Sequence, residues 1–173
     1  VYYPGNDIRE SYIHTLTRDN CPCNGHGIYV GANNPHTHCN FFVYKFLEEF
    51  LERTTKQLED EKVVGKPAYD QTVDAFINHM NANKDIYQKL EGDDQYDEAY
   101  DKASEARIVI AAAPNSGNGP GHMALILPPS VVDTTQYAEA SNYSRTDPPI
   151  AQAGLNTGIR KLSNGFGVKQ PEV

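Results

Sequence analysis

The strongest pattern in the chain runs over residues 39–57. Phe42, Val43, Phe46, Leu47, Phe50 and Leu51 recur at spacings of three and four, while Lys45, Glu48, Glu49 and Glu52 fall between them. One apolar face and one charged face predict an amphipathic helix. Thr37 or His38 occupies the cap position, so Cys39 falls in the first turn. Val73, Phe76, Ile77 and Met80 predict a second helix over 69–81, and 94–106 a third. A short helix over 7–18, capped by Asn6 or Asp7, is also expected. Residues 107–113 (RIVIAAA) and 122–127 (HMALIL) are continuous apolar runs separated by the turn-forming PNSGNGPG. They predict two buried strands in an antiparallel hairpin, closed by Pro128 and Pro129. Further strands are expected at 136–140, 157–162 and 166–168. Helix first, then an antiparallel sheet, is an α+β arrangement. The polar stretch 56–105 is expected as a helical insertion on the surface, and 21–38, rich in Gly, Asn, Pro and His, as loop.

A chain of 173 residues suits one domain with one sizeable core. The net charge of −8, concentrated between Glu48 and Glu105 and with no basic cluster, argues against a nucleic-acid partner. No apolar run approaches the roughly 20 residues of a membrane span, so no membrane partner is expected. No secretory signal pattern stands at the start, and an opening on Val1 is expected of a mature form, a trimmed form or a fragment. Three cysteines, Cys21, Cys23 and Cys39, leave at least one thiol free of a disulfide within the chain.

Position then makes Cys39 a candidate nucleophile. A thiol reacts as thiolate, and the unsatisfied N–H groups and positive dipole end of a helix stabilise an anion in its first turn. A base must accompany it. His122 opens an apolar strand after a Gly-rich loop, and in a sheet packed on the Cys39 helix it can face the thiol. A third polar group should fix the imidazole tautomer; Glu139 in YAEASNY is the first candidate and Asn142 the reserve. Against this stands the ordinary behaviour of a free cysteine as a small buried hydrophobe.

The segment HCNFFVYKFLEEF resembles the nucleophile helix of NlpC/P60 and CHAP peptidases, and GHMALILP resembles their Gly-His-hydrophobic strand. YAEASNY resembles the CHAP segment in which a Glu followed closely by Asn completes the site, although here Ser141 stands where Asn is usual. The first two motifs are also similar to those of type VI secretion amidase effectors. Cys39 and His122 stand further apart than is usual for the family, and the polar segment 56–104 accounts for the excess. The resemblance implies a papain-like core and a secreted or periplasmic cysteine amidase or endopeptidase. It would cut amide bonds in peptidoglycan peptide stems, without a cofactor. Cys39 would attack, His122 would move the proton and Glu139 would orient it. His38, Asn40 and Asn142 would line the substrate groove. An antibacterial effector of this kind would be blocked by an immunity protein.

Two other chemistries stay open. Cys21, Cys23, His26, His36 and His38 are zinc-type ligands within one short loop, though their spacing matches no Cys-x2-Cys plus His-x3-His pattern. Papain-like folds also host hydrolases and acyltransferases with other substrates. The acidic run Glu91, Asp93, Asp94 and Asp97 lacks the spacing of a calcium loop and reads as a solvated turn.

Overall fold

The computed structural model describes residues 39–68, 71–115, 121–132, 142–152, 158–167 and 170–173. Among the described residues, four helices precede a sheet. They are α1 (Cys39–Phe50), α2 (Thr55–Asp60), α3 (Val73–Ala82) and α4 (Gln95–Ser104). Strands β1 (Val109–Ala113), β2 (His122–Ile126), β3 (Pro149–Gln152) and β4 (Gly158–Lys161) follow, and helix α5 (Leu162–Phe166) follows them. The strands pair in sequence order, every pair antiparallel, so the fold is α+β.

The expected hairpin is present, with Val109 opposite Ile126 and Ala113 opposite His122. Pleating divides its side chains between two cores, because successive residues point to opposite faces. Ala112, Met123, Leu125 and Ala151 meet Phe42, Val43, Phe46 and Leu47 of α1 and Phe76 of α3. Val109, Ala111, Ala113, Ala124, Ile126 and Ile150 meet Ala99 and Ala103 of α4 and Leu162 and Phe166 of α5. The sheet is therefore covered on both faces, which suits uninterrupted apolar strands rather than alternating ones.

The structure differs from the sequence reading in four places. The first helix stops at Phe50, and Glu52 takes a left-handed backbone with φ 50°. The cause is a second cap. The Thr54 side chain accepts from the Gln57 backbone N–H, and the Gln57 side chain accepts from the Thr54 N–H. The segment 56–105 is not a surface excursion, since Leu58, Val64, Phe76, Leu90, Ala99 and Ala103 are all buried in the two cores. Strand β3 is not among the strands expected from the sequence, and prolines such as Pro148 and Pro149 are rare within a central strand. Pro149 stands at its first position, where the missing N–H costs least. Finally, Phe166 ends a helix instead of starting a strand. The expected elements at 7–18 and 136–140 lie outside the described residues.

Candidate active site

Helix α1 lies across β2, with its N-terminus at the end of the sheet where β2 begins. Cys39 is its first residue and is fully buried. Its Sγ lies 4.0 Å from the carbonyl oxygen of Gly121, the residue immediately before His122. A carbonyl only accepts, so the sulfur here is the donor, as a thiol. Gly121 is required at this point by close approach. A Cβ on it would stand 2.7 Å from Val73 Cβ, at the start of α3, and 3.2 Å from the Ala113 carbonyl oxygen. Just past β1, the Asn115 backbone N–H donates to Asp74 Oδ1 at 2.8 Å.

His122 is half-buried, and its Nε2 lies 2.8 Å from Oε1 of Gln152. An amide oxygen only accepts, so in this contact Nε2 is the donor. Gln152 is 4% exposed, the buried polar side chain among the described residues. The Phe166 ring packs on the imidazole with centroids 4.8 Å apart. Gly165 allows α5 to sit this close. A Cβ there would meet Ile150 Cδ1 at 2.3 Å and Gln152 Oε1 at 2.5 Å. Strand, amide and aromatic ring together leave the imidazole little freedom to rotate or change tautomer.

The strand alternation puts His122 and Gln152 on the face covered by α4 and α5, in step with Ala124, Ile126 and Ile150. Cys39 belongs to the core on the other face. The sequence reading had the imidazole on the face that meets α1, but Met123 and Leu125 hold that face. Thiol and imidazole therefore meet the same end of β2 from its two sides, separated in sequence contact by the Gly121 peptide.

Asn40, expected as a substrate contact, donates from Nδ2 to the Gln71 carbonyl at 2.5 Å and ties α1 to the segment before α3. The Tyr44 hydroxyl donates to Gln71 Oε1 at a long 3.4 Å. Burial holds that phenol protonated well above the usual tyrosine range, with the charges of Tyr87 and Cys39 adding to the effect. Cys39 is thus near enough for charge on it to act on Tyr44. Asn142 is exposed. Glu139, His38 and the candidate zinc ligands Cys21, Cys23, His26 and His36 lie outside the described residues. Among the described residues no group of three His, Cys, Asp or Glu side chains could hold a metal ion. No described helix is long and apolar enough to cross a membrane.

Gln152 is the residue that sequence reasoning missed. One signal could have found it: a lone glutamine between Ala151 and Ala153, at the end of a short apolar run. No family model matches the sequence, and no curated protein matches it closely enough to serve as a relative.

Proposed function

We propose that this protein is a cysteine hydrolase with a papain-like core, in which Cys39 is the nucleophile, His122 the base and Gln152 the group that orients His122. The observation that carries the reading is the 2.8 Å bond from His122 Nε2 to Gln152 Oε1, at the strand end that the Cys39 sulfur also reaches. That bond fixes the tautomer in which Nδ1 can accept a proton, the arrangement a thiol–imidazole pair needs.

In this scheme the proton of the Cys39 thiol is relayed to His122 Nδ1 around the start of β2, since the two side chains stand on opposite faces of the sheet, and the sulfur attacks the carbonyl carbon of a substrate amide. The tetrahedral oxyanion collapses by expelling the amine, which takes the proton from His122. A water molecule, deprotonated by His122, then attacks the thioester, releasing a carboxylic acid and restoring the thiol. Backbone N–H groups at the start of α1 are placed to stabilise the anionic stages. Gln152 stays neutral and donates nothing to the reaction; it holds the imidazole.

The substrate class comes from the sequence resemblance alone: an amide bond of a bacterial peptidoglycan peptide stem, cut outside the cytoplasm. An antibacterial effector role, with a cognate immunity protein as partner, is the extension of that reading. A second reading has one observation in its favour. Cys39 is fully buried and donates toward a carbonyl, as a purely structural cysteine would. Replacing Cys39 with Ala separates the two. A nucleophile loses turnover while the melting temperature moves by only a few degrees. A core cysteine loses stability and leaves any amidase activity at the wild-type level, which would sink the catalytic reading.

A further inference from the structure

A cavity lies at the other end of α1 from Cys39. It has a volume of about 770 Å³ and borders Leu47 and Leu51. Leu47 is two turns beyond Cys39, about 12 Å along the helix axis. The floor is apolar, formed by those two leucines with Ile77 and Met80 of α3 and Ile108 and Ile110 at β1. Interiors are normally close-packed, and a space of this size falls within the range of small-molecule sites.

The rim has the opposite charge to the chain. The protein carries −8 overall, yet the charged side chains lining this cavity are Lys84, Lys89, Lys102 and Arg107 against two side-chain carboxylates, Glu91 and Glu172. Both of those carboxylates engage the same lysine: Lys89 Nζ lies 3.0 Å from Glu172 and 3.6 Å from Glu91. Glu105 is shared between Lys102 at 4.0 Å and Arg107 at 3.6 Å, and it reaches Arg107 through Nε. Lys84 has no carboxylate partner among the described residues. On the same rim Ile86 is 40% exposed, the exposed large hydrophobic side chain among the described residues. An apolar floor, an uncompensated cation at the mouth and an exposed apolar side chain beside it are complementary to one kind of molecule.

We propose that this cavity binds a fatty carboxylate, with its single alkyl chain along Leu47, Leu51, Ile77, Met80, Ile108 and Ile110 and its carboxylate between Lys84 and Arg107. The terminal N–H groups of Arg107 suit a carboxylate in a paired, planar contact. The inference does not depend on the chemistry at Cys39. It is tested by isothermal titration of the full chain with octanoate, decanoate and dodecanoate below their micelle concentrations, and with decan-1-ol as the neutral control. The expected result is one site whose affinity rises about fourfold per added methylene. Decan-1-ol should bind about tenfold more weakly than decanoate, and the double variant Lys84→Glu, Arg107→Glu should weaken decanoate by at least tenfold. Ile110→Trp, which fills the floor, should abolish binding; if that variant does not fold, Met80→Glu should weaken dodecanoate by at least tenfold. Absence of binding by dodecanoate overturns the proposal, as does binding that the floor variants leave intact or that the alcohol matches.

Discussion

Replacing Gln152 with Ala removes the amide oxygen that accepts from His122 Nε2, and its cost can be worked from the geometry. The bond is 2.8 Å long, Gln152 is 4% exposed, and the Phe166 ring covers the imidazole at 4.8 Å, so bulk water has poor access to the vacated position. A buried donor left without an acceptor costs about 1–3 kcal/mol. The truncation leaves a small cavity as well, so urea unfolding should show a loss near the upper end of that range. The chemical effect should be larger than the structural one. Without this acceptor the imidazole is held less firmly in one orientation and tautomer, and activity should fall by at least about tenfold. Alkylation of Cys39 by iodoacetamide, followed against pH, reads this without any knowledge of the substrate. Gln152→Ala should slow alkylation at neutral pH. Gln152→Glu retains the acceptor but adds a negative charge that favours the imidazolium, so its pH profile should move to higher pH. If Gln152→Ala keeps both wild-type stability and the wild-type alkylation profile, the orienting role is wrong.

Gly165→Ala gives a test of packing with opposed signs. Helix propensity alone predicts a gain of about 1 kcal/mol, but the new Cβ would stand 2.3 Å from Ile150 Cδ1 and 2.5 Å from Gln152 Oε1. Overpacking costs about 1–3 kcal/mol, so thermal unfolding should show net destabilisation; a higher melting temperature would refute the close approach of α5. Tyr44 and Tyr87 are buried phenols whose pKa values are pushed up, chiefly by desolvation. Up to about pH 10 both remain protonated folded or unfolded; above it only the unfolded chain ionises. Stability should therefore fall as pH rises beyond about 10, and the Tyr44→Phe, Tyr87→Phe double variant should flatten that alkaline limb in denaturant titrations. Thr54→Ala breaks the reciprocal cap with Gln57 and should cost about 1 kcal/mol, seen as a lower urea midpoint with an unchanged m-value.

The parts of the fold that could be read from the sequence are those where one physical signal acted alone. The periodicity of Phe42, Val43, Phe46, Leu47 and Phe50 needed only one buried face, and the hairpin of 109–113 with 122–126 needed only two apolar runs and a glycine-rich turn. The break after Phe50 was written in Thr54 and Gln57 as a capping box, but the apolar pattern continued through Leu51 and hid it. Strand β3 was concealed by Pro149, and with it Gln152, because its pairing is supplied by β2 and β4 and not by its own residues. The burial of 56–105 was missed for a related reason. Ala99 and Ala103 make a packing surface only when a sheet lies opposite them. At the site, the position of Cys39 in the first turn was legible from its helix. The face on which His122 stands was not, since parity along β2 is fixed by Met123 and Leu125 packing on α1.

The central claim is that Cys39 and His122 form a thiol hydrolase acting on peptidoglycan amide bonds. Incubating purified peptidoglycan with the wild-type protein, with Cys39→Ala and with His122→Ala, and identifying the soluble products by mass spectrometry, tests it most directly. The account predicts that the wild-type protein releases fragments bearing one new amine and one new carboxylic acid per bond cut. Both variants, folded by circular dichroism, should be slower by at least about a thousandfold. An unchanged muropeptide pattern from wild-type protein whose Cys39 is readily alkylated, or cleavage by Cys39→Ala at the wild-type rate, would contradict it.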